Sequence, residues 1–490
     1  MNHRVNDKPE KHSYQHEEQT EGVKTLMGDP KKAIIKLAWP MIVAMSVNTI
    51  YNLVDAIWVS GLGADALAAV GFFFPFFFMA MAIATGVGTG GGAAISRRIG
   101  AKDKTGADNV AVHTIILMLI SAVLFSLPFF IFAENIFINI GAGKITSLVV
   151  SYARVMFGGT LIIFFTFVAN FILRAEGDVT RAMYAMMLGA VVNIVLDPFF
   201  IFGPNNPGPW IFGQVGLDLG VAGAAWATII SYCITGIIML NWLFFKKDTY
   251  VSFNFHDFKF NKGILRDISR VGLPASVMHL SMSFTMLIMN VIIVIIASTD
   301  GVAVYTTGWR VVTIAILPQI GIATAVTSVT GAAYGARNIE KLKTAFFYSI
   351  KLGLSIAILV AIVTFLLAPQ ITAVFTQAEE AAHIADDLIL FLQIICLFYP
   401  GVAFGMFSSA MFQGTGKGMS ALAVTIFRTI VLAPPLGLLF AVYFNINLPG
   451  VWIGLVTANL IGSTVAFLWA RSYINGLKIT FERESNISSR

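Results

Sequence analysis

Long apolar runs recur along the chain from Ala33 to Ile474 and are separated by polar connections. A run of about 17 to 25 residues or more can cross a hydrocarbon core about 30 Å thick as a helix. Twelve runs meet this condition, and we number them as spans 1 to 12. They cover residues 33–62, 66–96, 110–134, 148–173, 182–204, 217–245, 264–298, 301–334, 343–369, 384–413, 419–443 and 450–474. The pattern predicts an all-α integral membrane protein with twelve transmembrane helices.

The composition points to the same class. The chain is 57% hydrophobic and only 12% charged, whereas soluble domains average about 25% charged residues. Residues 1–30 are too polar to insert and lack the apolar core of a signal peptide. We therefore expect a disordered cytoplasmic tail at residues 1–30 and a second cytoplasmic tail at residues 476–490.

The net charge of +6 raises the question of a nucleic-acid partner, but the basic residues are concentrated in alternate connections, which is typical of membrane topology. The opposite connections are poor in Lys and Arg, and residues 369–387 contain Glu379 and Glu380 but no Lys or Arg. The positive-inside rule places the basic connections and both termini in the cytoplasm of a cell-membrane protein, with Glu380 outside. The basic residues after spans 2, 6 and 8 are Arg97, Arg98, Lys102, Lys104, Lys246, Lys247, Lys259, Lys262, Arg266, Arg270, Arg337, Lys341 and Lys343.

A weak internal repeat divides the membrane region into halves. A shift of 234 residues aligns Pro40 with Pro274 and Asp55 with Met289, and a shift of 235 aligns Gly100 with Gly335. Because each half has six spans, both copies start on the same side, which predicts parallel repeats with a cavity between two six-helix lobes. The predicted lobes are residues 31–245 and 264–475, joined by a cytoplasmic linker at residues 246–263.

Two carboxylates interrupt the apolar runs of the first half: Asp55 in span 1 and Asp197 in span 5. A buried acid costs roughly 2.5 to 3.5 kcal/mol on insertion scales, so such residues usually handle ions, protons or substrate. At about 1.5 Å per residue, Asp55 lies roughly 27 Å into the membrane and Asp197 roughly 24 Å. Asn193 precedes Asp197 by one helical turn and can offer an oxygen or an N–H to the same site. The residues predict one cation-responsive site in the first lobe.

Several sequence blocks resemble one family. SRRIGAKD and GAAYGARN follow spans 2 and 8, and LRAEGD and FQGTGKG follow spans 4 and 10. Together with the two acids, these blocks are similar to the MATE (multidrug and toxic compound extrusion) transporters, in the DinF-like branch, over about residues 30–475. The resemblance implies a secondary antiporter that expels organic, often cationic, compounds in exchange for protons or sodium ions.

The resemblance also implies site residues. The cation-coupling network of the family would fall on Asp55, Asn193, Asp197 and Thr228, with Tyr152 and Asn170 as polar lining of the cavity. Pro40 stands where span 1 of the family is proposed to bend when its acid is protonated.

Other intramembrane residues leave alternatives open. Met278, Met282, Met286 and Met289 follow helical spacing in span 7. Such a flexible stripe suits a substrate cavity, although ordinary packing explains the same spacing. Arg154, Arg310 and Arg428 also fall in spans, where they either pair with acids or line the cavity.

Three other functions compete. An ATP-driven pump needs a GxxxxGK[ST] phosphate loop, which the sequence lacks. An intramembrane aspartyl protease also uses two buried acids. The segments that carry the acids here, LVDAIW and NIVLDPFF, do not resemble the GxGD motif of such proteases. A flippase of related fold for lipid-linked oligosaccharides would need a strongly cationic cavity for its pyrophosphate, and the intramembrane arginines keep that alternative open.

The coupling ion is not decided by the residues. Carboxylate and amide oxygens suit sodium, for which Asp55, Asn193 and Asp197 are the candidate metal ligands, while a carboxylate pair alone suffices for protons. We expect no cofactor and no nucleic-acid partner. The expected partners are small organic substrates, the coupling cation and the bilayer, and the expected state is a monomer.

Overall fold

In the computed structural model, the described residues are 20–204, 216–246, 248–253, 258–377 and 382–488. Within these ranges the chain forms α-helices, short 3-10 and π turns and loops, with no strand. Glu379 and Glu380, predicted outside the membrane, lie beyond the described ranges, as do Lys247 and most of residues 1–30. The predicted all-α membrane fold is confirmed.

The described residues of the first half form nine helices. Its spans 4 and 6 have irregular parts: span 4 is made of two helices bent by 49°, and span 6 ends in a π turn, Asn241–Phe245. The helices are α1 Glu21–Met27, α2 Pro30–Ser60, α3 Ala64–Gly100, α4 Lys104–Ile131, α5 Ala133–Asn139, α6 Thr146–Gly158, α7 Thr160–Ala175, α8 Val179–Ile201 and α9 Gly220–Leu240.

In the second half, nine more helices lie within residues 258–377 and 382–488. Its span 10 is again a helix pair bent by 49°, and span 11 is interrupted by two π turns, Phe427–Leu432 and Leu439–Tyr443. The helices are α10 Lys262–Ala315, α11 Leu317–Gly335, α12 Ile339–Leu366, α13 Ala368–Phe375, α14 Ala385–Ile395, α15 Phe398–Gly414, α16 Gly418–Ile426, α17 Ala433–Leu438 and α18 Asn447–Ser488.

The long helix α10 contains the boundary between spans 7 and 8. It has 54 residues, and its torsions leave the helical region at Ala297 and Ser298, where φ of Ser298 is 56°. Nine helices of the described chain are long and apolar enough to cross a membrane, and the two bent pairs bring the number to 11. Because α10 crosses once before its break and once after it, together with α11, the spans number twelve.

The contacts between the halves follow the repeat. Helix α2 of span 1 packs against α11 of span 8, and α3 of span 2 packs against α10 of span 7. In the internal repeat, span 1 corresponds to span 7 and span 2 corresponds to span 8. The interface between spans 1 and 8 is therefore the repeat equivalent of the interface between spans 7 and 2. The arrangement is that of two parallel lobes around a pseudo-two-fold axis.

Two glycines related by the repeat meet where α3 and α11 end. A Cβ added to Gly100 would lie 1.9 Å from the carbonyl oxygen of Ala332, and a Cβ added to Gly335 would lie 1.9 Å from that of Arg97. Any side chain at either position would collide with backbone, so glycine is what allows the two helix ends to touch. This contact joins the lobes at one end of the bundle.

Charged connections mark the two ends of the bundle. On the end that we call the basic face, Arg97 pairs with Asp267 at 2.7 Å and Lys104 and Arg181 pair with Asp108 and Asp248. At the opposite end, Lys144 lies 3.5 Å from Asp65 and His383 lies 3.4 Å from Asp300. The connections therefore alternate between the ends as the twelve-span topology requires.

The segment just before span 1 differs from the predicted tail. Residues Glu21–Met27 form α1, which Thr20 caps through its side chain and which buries Val23 and Leu26. Lys341 donates from Nζ to the carbonyl oxygen of Met27. Val23 and Leu26 are three residues apart and therefore share one face of α1. Their burial allows this otherwise polar segment to pack on the basic face.

Candidate functional site

A cavity of about 420 Å³ lies between the lobes. Its wall takes residues from α2, α3, α7, α8 and α9 of the first lobe and from α10, α11, α15, α16 and the following π turn of the second. A site between repeat-related lobes is where alternating-access transporters hold their substrates. The volume is within the usual range of a small-molecule site, about 300 to 1,000 Å³.

The two buried acids come together beside this cavity. Asp55 on α2 and Asp197 on α8 have carboxyl groups close enough to interact. Asp197 is fully buried, and neither acid belongs to the cavity wall. Tyr51 and Tyr152 lie near both carboxylates. The structure thus brings together the two acids that the sequence placed at similar depth.

Asn193 connects the acid pair to the cavity. It is one helical turn before Asp197 on α8, is 2% exposed, and donates from Nδ2 to Oγ1 of Thr228 on α9 at 3.3 Å. Both Asn193 and Thr228 belong to the cavity wall. Asp55, Asn193, Asp197 and Thr228, the residues predicted to couple a cation, therefore form one continuous cluster.

The cluster has unused acceptor oxygens. Both carboxylate oxygens of Asp197 and Oδ1 of Asn193 are buried and make no hydrogen bond of ordinary geometry within the described residues. Buried acceptors normally have partners, and an exception needs an explanation. Carboxylate and amide oxygens fit either a proton or a hard monovalent cation such as sodium.

The two polar residues implied as cavity lining occupy different places. Asn170 is on the cavity wall and donates from Nδ2 to the carbonyl oxygen of Ala182 at 3.1 Å. Tyr152 is not on the wall; it packs edge-on against Phe73 with ring centroids 5.2 Å apart, beside the acid pair. Tyr152 is thus placed to act on the acids more directly than on substrate.

The methionine stripe of span 7 is divided. Met278 and Met282 are on the cavity wall, whereas Met289 is fully buried and Met286 packs beside it in the apolar core of the second lobe. The structure therefore does not bring Met286 and Met289 to the cavity. Helical spacing put the four side chains on one face, but that face passes from the cavity to the lobe interior as α10 continues.

The three intramembrane arginines have three different environments. Arg154 lies 3.5 Å from Glu134, Arg310 is exposed, and Arg428 is on the cavity wall. Arg428 donates to Oδ1 of Asn459 at 3.3 Å. His279 of span 7 is also on the wall.

Sequence reasoning missed two wall residues with evident chemistry. Tyr51 lies one helical turn before Asp55 and is on the wall, a spacing that could have revealed it. Arg174 at the end of α7 is also on the wall. Arg174 belongs to the LRAEGD block, which was interpreted as the turn after span 4. Basic residues are common where a span ends, so this arginine did not stand out in the sequence.

The chain matches the MatE family over residues 40–199 and 274–439. These two segments cover more than half of the chain. The chain belongs to the MatE family. The segments begin 234 residues apart, at residues 40 and 274, which is the shift of the internal repeat.

Relatives over nearly the full length agree. The chain is 26% identical over 448 residues, covering 90% of this chain and 92% of the relative, to a probable multidrug resistance protein NorM of Thermotoga maritima. It is 26% identical over 443 residues, covering 89% of this chain and 92% of the relative, to the multidrug export protein MepA of Staphylococcus aureus.

The fold is also similar to a solved structure, described as the outward-facing conformation of a multidrug resistance MATE family transporter. The TM-score is 0.89 and the sequences are 48% identical, and the match covers 94% of this chain and 100% of that chain. This MatE protein is thus a membrane transporter and not an enzyme, which removes the intramembrane protease from the alternatives. The DinF-like branch stays a prediction.

Proposed function

We propose that this MatE protein is a secondary antiporter that exports organic compounds, including drugs, in exchange for protons or sodium ions. The observation that carries the proposal is the proximity of the interacting acids Asp55 and Asp197 behind a cavity wall that includes Asn193. An ion that enters this cluster can change the cavity without occupying the space of the substrate. The names of the relatives, multidrug export and multidrug resistance proteins, support the substrate range.

Alternating access is the proposed cycle. In the described conformation, Gly100 and Gly335 hold the lobes together at the basic face, so release would occur at the opposite end. The positive-inside rule supports a cytoplasmic basic face, with both termini cytoplasmic in the cell membrane. Loading of the acid pair would shift the population of the first lobe towards the state that opens at the basic face.

Pro40 is the proposed hinge of this shift. Helix α2 runs unbroken from Pro30 to Ser60 through Pro40, although proline removes one backbone hydrogen bond and costs about 3 kcal/mol in a helix interior. A helix that is already weakened at Pro40, about four turns before Asp55, can bend there at little further cost.

Protons are the coupling ion that we favour. Two carboxylates in contact repel each other when both are ionised, so one of them holds a proton readily and the pair can load and unload as a unit. Sodium remains the alternative, with Asp55, Asn193 and Asp197 as ligands. We also propose that the protein works as a monomer, because each chain contains both lobes.

The test is drug efflux from vesicles that contain the purified protein, under an imposed pH gradient or an imposed sodium gradient. We expect the pH gradient alone to drive efflux. Efflux driven by the sodium gradient alone would identify sodium as the coupling ion and would still support antiport. Efflux that responds to neither gradient would refute ion coupling.

A further inference from the structure

The charged groups on the cavity wall are all basic. Of its ionisable side chains, Arg174 and Arg428 are guanidinium groups, His279 is an imidazole, and Tyr51 and Tyr232 are phenols; no Asp or Glu of the described chain is on the wall. The acid pair lies behind the wall. A substrate in the cavity therefore faces cationic groups first.

Arg174 is buried without a counter-ion. Its side chain is 8% exposed and its guanidinium lies 3.9 Å from the ring centroid of Phe171. Among the described residues, its side chain has one polar contact, from Nε to the carbonyl oxygen of Asn170 at 3.4 Å, and no carboxylate comes within 4.0 Å of it. The aromatic face holds the guanidinium in place, and neither Nη group has a hydrogen-bond acceptor in the described part of the chain.

Arg428 is held by a second, independent device. It is in the π turn Phe427–Leu432, and such turns often occur at functional sites. A Cβ at Gly405 would lie 2.5 Å from its Nη1, and a Cβ at Gly462 would lie 2.7 Å from its Cβ, so two neighbouring helices leave room for this side chain. Its partner, Asn459, is neutral.

Both guanidinium groups, that of the buried Arg174 and that of the half-buried Arg428, are on the cavity wall and have no acidic partner among the described residues. A carboxylate, sulfonate or phosphate would accept two N–H groups from one guanidinium in a short, charge-assisted pair. An organic cation would instead enter against the charge of both arginines. The rest of the wall, with Met41, Met278, Met282 and Phe167, suits an apolar body of variable shape.

We propose that the cavity binds amphiphilic organic anions, with the apolar body on the methionine wall and the anionic head on Arg174 or Arg428. The inference rests on the proposed export function and names its substrate class. It departs from the often cationic substrates that the family resemblance implies. The same chemistry is present in a soluble organic anion and in an anionic lipid, so the experiment includes both.

The test compares two dyes that share one aromatic body, fluorescein as the anion and a cationic rhodamine ester. Binding to the purified full-length protein is measured by fluorescence anisotropy in neutral detergent. We expect fluorescein to bind about tenfold or more tightly than the rhodamine ester. At least one of Arg174→Gln and Arg428→Gln should weaken fluorescein binding by about tenfold, because the arginine that holds the anionic head loses a charge-assisted pair. Both variants should leave the rhodamine affinity within about twofold.

Arg310→Gln is the matched control, because Arg310 is an exposed arginine outside the cavity wall; it should leave both affinities unchanged. Arg174→Lys and Arg428→Lys keep the charge and should retain most of the fluorescein affinity, which separates charge from packing. Tighter binding of the rhodamine ester, equal binding of the two dyes, or no binding of either would overturn the proposal. The wild-type comparison alone decides this, even if a variant fails to fold.

The lipid arm uses vesicles that contain fluorescent phosphatidylglycerol. One outcome is movement of this lipid between leaflets that is lost in the arginine variants, without efflux of fluorescein. That result would support a site for anions and would identify a membrane lipid as its occupant. Gradient-driven efflux of the rhodamine ester but not of fluorescein would overturn this inference while the antiport stands. Efflux of neither dye under any gradient would count against the proposed antiport itself.

Discussion

The two lobes match in architecture and differ in chemistry. Under the shift of 234 residues, Asp55 of α2 corresponds to Met289 of α10. Asp55 interacts with a second acid, whereas Met289 is fully buried in an apolar core. In the second lobe the cavity wall instead carries Arg428. The repeat therefore specifies how the helices pack, and the positions that depart from it carry the proposed function.

The largest expected effect separates these equivalent positions. Asp55→Asn should reduce gradient-driven export to background, because the amide cannot exchange a proton, and should leave the protein folded, since it removes a buried charge. Met289→Ala should lower the free energy of unfolding by about 2 to 5 kcal/mol through the cavity it leaves and keep export per folded molecule. Dye efflux and thermal unfolding measure both; export lost in Met289→Ala but kept in Asp55→Asn would contradict the division of roles.

A change at the shared axis should have the next largest effect. Gly335→Val places a side chain against the backbone of Arg97 and should disfavour contact of the lobes at the basic face, at a cost of about 1 to 3 kcal/mol for overpacking. Export should fall several-fold, and a cysteine at Ser328 on the cavity wall should label faster from the basic side. Gly71→Ala is the control, because a Cβ at Gly71 has nothing within 4 Å; unchanged labelling in Gly335→Val would show that the contact is not a gate.

A smaller difference is expected between the two equivalent prolines. Pro40→Ala should slow export a few-fold and spare ion binding, because it stiffens the lobe that carries the acids and leaves the acids intact. Pro274, at the matching place in α10, is buried, and Pro274→Ala should change export less. Initial efflux rates compare them; a larger loss in Pro274→Ala would move the hinge to the second lobe.

The smallest effect on export is expected at the turns after spans 4 and 10. Glu176 is 1% exposed and accepts a hydrogen bond from the backbone N–H of Val251 at 3.0 Å, and burial raises its pKa from 4.5 to about 8. The folded state thus holds a proton that the unfolded state releases, so the stability contributed by Glu176 is complete below pH 4.5 and is lost as the pH rises to about 8.

Glu176→Gln should remove this pH dependence, which amounts to at most roughly 1.4 kcal/mol per pH unit within that window. The equivalent residue of the second lobe, beside Gly416, is the neutral Thr415, and Thr415→Ser should leave the pH profile of unfolding unchanged. A wild-type unfolding temperature that stays level from pH 5 to 8 would contradict the assignment.

Hydropathy and the repeat predicted most of the fold, because lipid leaves the backbone no alternative to helices. The break of α10 at Ala297 and Ser298 falls where hydropathy ended span 7, at residue 298. Span 4 bends beside Gly158 and Gly159, a signal in the sequence. The π turns in spans 6 and 11 were not predicted, because they do not interrupt the apolar pattern.

The candidate site was partly predictable for a similar reason. The insertion cost of a buried acid identified Asp55 and Asp197 individually, and counting residues placed them at one depth. The helical spacing of Met286 and Met289 predicted that they line the cavity. Spacing shows which side chains share a helical face, but it does not show which neighbouring helices cover that face. Arg174 was missed because a charge at the end of a span is ordinary, and its burial depends on α11 of the other lobe, where Ser328 donates to its carbonyl oxygen.

The most direct test of the acid pair measures ion movement driven by substrate. Purified protein in proteoliposomes, with substrate on one side and no imposed ion gradient, should move protons in the opposite direction, as recorded by a pH-sensitive dye, with radioactive sodium measured in parallel. Asp55→Asn and Asp197→Asn should each abolish this ion flux, and the double variant should lose little more, because the two groups act as a unit. Full substrate-driven ion flux in both single variants would contradict the claim that the pair couples cation entry to export.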